Sequence, residues 1–201
     1  MERGYWIRSK PIYSTLIWQP HATAHLVLVE GDAGAIAAIR LFQQMQPMQR
    51  TLLIQLASDN VASKYSAALQ AVVADELQIV SSDVLLAQAL ESFLSKATMG
   101  LRIYVAGSEN FMWSVAEIAQ GYGINEADIF KELTGTLARS VYCVHCKAIT
   151  HHVHHNISKC DGCGRMLFIR DHFSRRLGAY MGLMVDAETP GELPEIMEIF
   201  P

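Results

Sequence analysis

His25-Leu26-Val27-Leu28-Val29-Glu30 runs directly into Gly31-Asp32-Ala33-Gly34, and the reading of this stretch decides the fold. Its first part is apolar without alternation, the pattern of a short strand covered on both faces. The glycines then mark a turn, and through residues 35–45 the apolar positions return with the period of a helix. The same unit repeats outward along the chain. Thr51–Leu56 (TLLIQL) reads as a second strand and the alanine-rich residues 60–75 as a second helix. Residues 77–80 form a third strand, and residues 83–96 (DVLLAQALESFLSK) a third helix with Asp83 placed to cap it. Residues 101–106 (LRIYVA) lead through Gly107-Ser108 into a fourth helix over about 109–120. Short parallel strands joined by right-handed helical crossovers predict the α/β class, a Rossmann-like parallel sheet with helices on both faces over residues 22–138. Residues 1–21 precede it as an N-terminal arm.

Ligands of such sheets lie at the carboxyl ends of the strands, where glycine admits a phosphate to the backbone and a helix N-terminus faces it. Gly31, Gly34, Gly107, Ser108, Phe111 and Met112 therefore outline a candidate nucleotide cleft. Its chemistry is incomplete. Gly31 and Gly34 do not complete G-x-G-x-x-G, no P-loop lysine is present, and Glu30 with Asp32 puts negative charge where a pyrophosphate would lie. Glycines serving as tight turns explain the pattern equally, and the residues argue against NADPH binding by this chain.

The only four cysteines fall as two pairs, Cys143-Val144-His145-Cys146 and Cys160-Asp161-Gly162-Cys163, with thirteen residues between them. Two residues between thiols let each pair form a tight knuckle, and a hairpin between the knuckles would bring four thiolates into a tetrahedron. This predicts a small tetracysteine zinc ribbon over residues 139–185. Reduced buried cysteines or two disulfides would need the spacing to arise by accident. Zinc fits better than iron because neither knuckle has the Cys-Pro-x-Cys-Gly form, although Gly164 supplies one flexible corner and leaves iron as the alternative. Four thiolates leave no open position for water, so the site would fold the ribbon rather than act as a Lewis acid. His151, His152, His154 and His155 would lie near the hairpin tip, as polar groups or as a weak second metal site.

After the knuckles, Arg165, Arg170, Arg175 and Arg176 alternate with Phe168, Phe173 and Tyr180. Arg170, His172, Phe173, Arg175, Arg176 and Tyr180 are candidates for partner docking through bidentate hydrogen bonds and aromatic anchors, against the plainer reading of a solvated basic face. The sign then reverses over residues 186–201, where five carboxylates mix with proline and apolar residues. This reads as an extended acidic arm that is disordered alone and orders against a neighbouring subunit.

Composition bounds the function. The 201 residues are 51% hydrophobic with net charge −4, room for one filled domain and an appendage, and a poor match to general nucleic-acid binding. The first ten residues are charged, with no apolar signal core, and no apolar run reaches the ~20 residues of a membrane span. A cytoplasmic protein without a membrane partner is expected, consistent with metal-type cysteine usage. No catalytic constellation emerges, neither a Gly-x-Ser-x-Gly elbow nor His-Glu-x-x-His.

Ile103-Tyr104-Val105-Ala106-Gly107-Ser108-Glu109-Asn110-Phe111-Met112 resembles the last nucleotide-domain strand of ferredoxin-reductase-like flavoproteins, I-Y-x-C-G-P-x-x-F/M-M, with Ala106 and Ser108 replacing cysteine and proline. The first loop lacks that family's G-G-x-G-x-T/S-P run. Together with both cysteine knuckles and Arg170-Asp171-His172-Phe173-Ser174-Arg175-Arg176-Leu177-Gly178-Ala179-Tyr180-Met181-Gly182, the chain resembles the DmmA-like subunit of bacterial dimethylamine monooxygenase over residues ~12 to ~188. The resemblance implies a subunit of a multi-protein oxygenase that demethylates dimethylamine oxidatively to methylamine and formaldehyde, and the absence of a catalytic constellation makes an accessory, non-catalytic role the leading expectation. Haem, FMN and iron–sulfur centres fed by NADPH are then expected on partner subunits. The alternatives are an NAD(P)H-binding reductase module and a zinc-ribbon adaptor.

Overall fold

The computed structural model describes residues 9–57, 64–73 and 76–201. They fall into two compact units, Tyr13–Gly135 and Thr136–Pro201, the second joined by the described residues up to Ile12.

In the first unit, β1 (Ala24–Glu30), β2 (Thr51–Leu56), β3 (Glu76–Val80), β4 (Leu101–Gly107) and β5 (Ile129–Leu133) form a wholly parallel sheet in the order β3-β2-β1-β4-β5. The crossovers are α1 (Gly31–Gln44), α2 (Ser66–Val72), α3 (Asp83–Leu94) and α4 (Glu109–Gly121). Strand order runs one way from β1 to β3 and then reverses, so right-handed crossovers put α1 and α2 on one face and α3 and α4 on the other. The packing pairs follow suit, α1 with α2 and α3 with α4. Leu26, Val27, Leu28 and Val29 are fully buried, as an unalternating strand in the middle of a two-sided sheet requires. The small residues Gly34, Ala35, Ala37 and Ala38 bring α1 close to the sheet; a Cβ on Gly34 would stand 2.6 Å from the Ala106 carbonyl oxygen.

Four features depart from the sequence reading. A fifth strand, β5, extends the sheet beyond the four expected; its centre holds Lys131 and Glu132, which obscure the strand pattern. Lys131 lies 4.5 Å from the Trp113 ring centroid, while Glu132 accepts the Leu16 N–H at 2.7 Å and pairs with Arg40. Ser82, rather than Asp83, caps α3, its hydroxyl accepting the Leu85 N–H at 3.3 Å. The expected helix over 60–75 is described only as Ser66–Val72; residues 60–63 and 74–75 lie outside the described residues.

The fourth difference concerns the expected arm. From Tyr13 onward the chain belongs to the core of the first unit. Leu16 and Trp18 are 2% and 7% exposed and pack with Val27, Val29, Leu41, Phe42 and Tyr104. Trp18 Nε1 donates to the Leu41 carbonyl at 2.8 Å, and the Gln19 N–H donates to the Tyr104 hydroxyl at 3.0 Å. The segment covers the β4–β5 part of the face that carries α1, where apolar side chains would otherwise meet water.

The second unit is a five-stranded sheet of β6 (Arg139–Cys143), β7 (Ile149–Val153), β8 (Ile157–Lys159), β9 (Met166–Ser174) and β10 (Ala179–Met184), ordered β7-β6-β10-β9-β8. All neighbours are antiparallel except β6 and β10. The two strands within the thirteen-residue spacer, β7 and β8, lie on opposite edges. The expected hairpin between the knuckles is therefore replaced by two separate hairpins, each carrying one knuckle at its turn. The link over residues 154–156 pairs instead with the end of the chain. Asn156 clamps that end, its side chain donating to the Glu195 carbonyl at 3.0 Å and accepting the Met197 N–H at 2.8 Å. Phe200 is buried beside Arg139, whose guanidinium carbon lies 3.8 Å from its ring centroid. The tail expected to order only against a neighbour thus ends against its own ribbon, because an aromatic ring and backbone donors find partners there.

Candidate functional site

The two knuckles share one backbone design. In the first, the Lys147 N–H donates to the Cys143 carbonyl and the Cys143 N–H to the Ala148 carbonyl, both at 2.9 Å. In the second, Gly164 and Cys160 repeat this at 2.9 Å, and Cys160 and Arg165 at 2.8 Å. The fifth residue of each turn is left-handed, Lys147 at φ 70° and Gly164 at φ 72°. This closes the loop tightly enough to aim both sulfurs of a pair the same way.

All four Sγ atoms lie within 4.8 Å of one another, with Cys143 to Cys163 at 3.9 Å and Cys146 to Cys160 at 3.5 Å. These separations exceed the ~2.05 Å of a disulfide. They approximate the ~3.8 Å edge of a tetrahedron of thiolates at ~2.3 Å from a central ion. Cys143 and Cys160 are buried and Cys146 and Cys163 half-buried, so the four cysteines could hold a metal with one edge toward solvent.

Proton affinities within the cluster are uneven. The Ala148 N–H draws the Cys146 thiol down, but burial and hydrogen bonding among the neighbouring thiols carry it up to about 11. At Cys163 the Arg165 N–H and then its side chain lower the thiol to about 6 against the effect of burial. Metal binding would displace the remaining protons, so affinity rises with pH through this range.

The histidines do not add a second centre. His151 Nδ1 lies 2.9 Å from the Ser140 hydroxyl, His154 Nδ1 is 2.9 Å from the Phe200 carbonyl oxygen, and His152 and His155 are exposed. Among the described residues, the four cysteines are the only group of three or more His, Cys, Asp or Glu arranged to hold an ion. His151 and His152 lie within β7 rather than at a hairpin tip.

The candidate nucleotide cleft lies where the carboxyl ends of β1 and β4 diverge, the topological switch point. Gly31 opens α1 at φ 60°, and Ser108 caps α4, its hydroxyl accepting the Phe111 N–H at 3.3 Å. Glu30 fills the space between. Its Oε2 accepts the Ser108 N–H at 2.6 Å, at the end of α4 that would otherwise face an anion. A Cβ on Gly107 would stand 2.5 Å from Phe111 Cδ1 and 2.8 Å from Glu30 Cβ, so this glycine accommodates protein side chains. Met112 is fully buried, and Glu109, 5% exposed, accepts the Tyr13 hydroxyl at 2.6 Å. Tyr13 and Glu109 are contributors that motif reading missed, whereas Glu30 stands in the acidic Glu30-Gly31-Asp32 run that already argued against a phosphate there.

The proposed docking set divides. Arg170, Arg175 and Arg176 are exposed and His172 half-buried, its Nδ1 buried without a partner. Phe173 and Tyr180 are 6% and 3% exposed, packed edge to face at 4.9 Å. Arg139 lies 3.9 Å over Tyr180 and is paired with Asp171 at 2.7 Å. These two aromatics are core, so they are not partner anchors.

Comparison with known proteins places the chain. Residues 5–129 match the N-terminal domain model of the dimethylamine monooxygenase subunit DmmA-like family, and residues 140–183 match its C-terminal domain model. The heme-dependent oxidative N-demethylase delta subunit of Ectopseudomonas mendocina (strain ymp) is 31% identical over 182 residues, 90% of this chain and 91% of that one. Among solved structures, phthalate dioxygenase reductase, described as a modular structure for electron transfer from pyridine nucleotides to [2Fe-2S], aligns at TM-score 0.43 and 12% identity. It covers 72% of this chain and 46% of its own. The ferredoxin reductase in carbazole 1,9a-dioxygenase aligns at TM-score 0.43 and 16% identity, over 59% and 40% respectively. The chain spans less than half the length of either reductase. It belongs to the DmmA-like family.

Proposed function

We propose that this member of the DmmA-like family is an accessory, non-catalytic subunit of a heteromeric, haem- and flavin-dependent dimethylamine monooxygenase in the cytoplasm. The complex demethylates dimethylamine oxidatively to methylamine and formaldehyde, using NADPH and O2. Haem, FMN and iron–sulfur chemistry belong to partner subunits, and the tetracysteine cluster of this chain holds zinc and folds the ribbon. Among the described residues no helix is long and apolar enough to cross a membrane.

Family membership supports the assembly, and one contact carries the accessory role. Glu30 places its own carboxyl group at the α4 N-terminus, 2.6 Å from the Ser108 nitrogen, where a nucleotide phosphate would have to displace it. Reconstitution tests the reading: omitting this chain should reduce NADPH-driven formaldehyde production or the stability of the complex, and undiminished turnover and stability would refute it. The switch point between β1 and β4 favours one second reading, a reductase module that binds NAD(P)H itself. Calorimetric titration of the wild-type chain should give no NADPH heat up to millimolar concentration, and sub-millimolar binding would install that second reading instead. Glu30→Ala should free the Ser108 N–H, so that phosphate raises the melting temperature of the variant and leaves wild type unchanged.

A further inference from the structure

The second unit keeps an apolar row on the sheet face that its core does not use. Register sets Ile149 opposite Tyr142, Tyr142 opposite Met181, Leu183 opposite Phe168, and Phe168 opposite Ile157. Directly paired residues share a face, so these six side chains run across all five strands. The opposite face carries Val141, Leu167 and Ile169, all buried. Ile157 closes one end of the row in a buried position. Further along, Phe168 and Met181 are 45% and 38% exposed, and Tyr142, Ile149 and Leu183 are half-buried.

A solvated face of a largely antiparallel sheet ordinarily carries polar side chains. Aromatic residues and methionine flanked by arginine form instead the composition of interface centres. The charged side chains that the strands themselves place on this face have one sign. By strand alternation Lys159 shares this face with Ile157, and Arg170 shares it with Phe168. Lys147 Nζ lies 5.8 Å from the Tyr142 ring centroid. The single acidic residue in the five strands, Asp171, alternates away from Arg170 and is paired with Arg139. A chain of net charge −4 thus presents a locally cationic apolar face.

We propose that this face docks another protein subunit of the oxygenase assembly, one presenting apolar surface rimmed by carboxylates. The inference rests on the functional reading above and replaces Phe173 and Tyr180 with Phe168, Met181 and Tyr142 as the anchors. Cationic neighbours would steer the encounter and the apolar row would hold it.

Binding of the full chain to the remaining purified subunits, followed by biolayer interferometry at low and high salt, tests it. Phe168→Glu and Met181→Glu should each weaken binding by about 30-fold or more. Arg170→Glu should slow association and flatten the salt dependence. Val84→Glu, the same change at a residue 66% exposed on α3, should bind like wild type. Metal content and melting temperature equal to wild type would show that the variants remain folded. Wild-type affinity in folded Phe168→Glu and Met181→Glu overturns the proposal, as does self-association of the wild-type chain that Phe168→Glu abolishes, which makes a second copy the occupant. Failure of the wild-type chain to bind the other subunits at all refutes the functional reading and removes the inference with it.

Discussion

Gly164→Ala and Lys147→Gly form a reciprocal pair whose effects should have opposite signs. Both positions close a knuckle with the same hydrogen bonds and nearly the same left-handed backbone, φ 72° and φ 70°. A Cβ on Gly164 would meet nothing nearer than Lys159 Cε at 3.6 Å, an ordinary contact, so packing adds no penalty. The change then costs the left-handed strain of an L-residue, about 1–2 kcal/mol. Reduced freedom of the unfolded chain offsets about 0.4–1 kcal/mol of this. The net is about 1 kcal/mol, or roughly fivefold, in any equilibrium coupled to ribbon folding. Lys147→Gly removes the same strain and loses an exposed hydrogen bond from Lys147 Nζ to the Val144 carbonyl, for a gain of a few tenths to about 1 kcal/mol. Zinc affinity at pH 7, measured by competition with a chromophoric chelator, reads both. Equal or tighter binding by Gly164→Ala, or weaker binding by Lys147→Gly, would refute the reasoning.

Cys143→Ser should lose the metal, since one buried ligand of the tetrahedron goes, while the Tyr13–Gly135 unit stays folded; elemental analysis with circular dichroism checks both halves. His25 is 2% exposed, and burial holds its pKa below the ordinary 6.5. The unfolded chain therefore binds the extra proton first, so this stability term is complete above pH ~6.5 and falls as pH drops toward the folded-state value. Urea midpoints between pH 7.5 and 5.5 should decline in wild type and decline less in His25→Gln. Trp18→Ala should destabilise the first unit by about 3–5 kcal/mol through lost burial and the lost Leu41 hydrogen bond. Ile17→Ala, at 61% exposure, should stay within about 0.5 kcal/mol, and matching effects in chemical denaturation would contradict the assigned role of residues 13–21.

The sequence by itself determined the parts whose physics is local. Strands such as β1 are legible because two-sided burial demands an unbroken apolar run, here residues 26–29, and the cysteine pairs because a knuckle needs two residues between thiols. Glu30 was visible as a charge in the wrong place for a phosphate; that it reaches the Ser108 N–H seventy-eight positions away was not. Tertiary structure alone decided the elements whose meaning depends on distant neighbours. β5 is a strand because Trp113, Leu16 and Arg40 satisfy its Lys131 and Glu132. Leu16 and Trp18 became core because the β4–β5 face needed cover, and Phe173 and Tyr180 because the ribbon folds around Arg139. The apolar row through Phe168 and Met181 exists only in the register of five strands. Periodicity and spacing report the demands of a residue's own backbone, whereas burial and pairing across a sheet are set by segments that only the fold brings together.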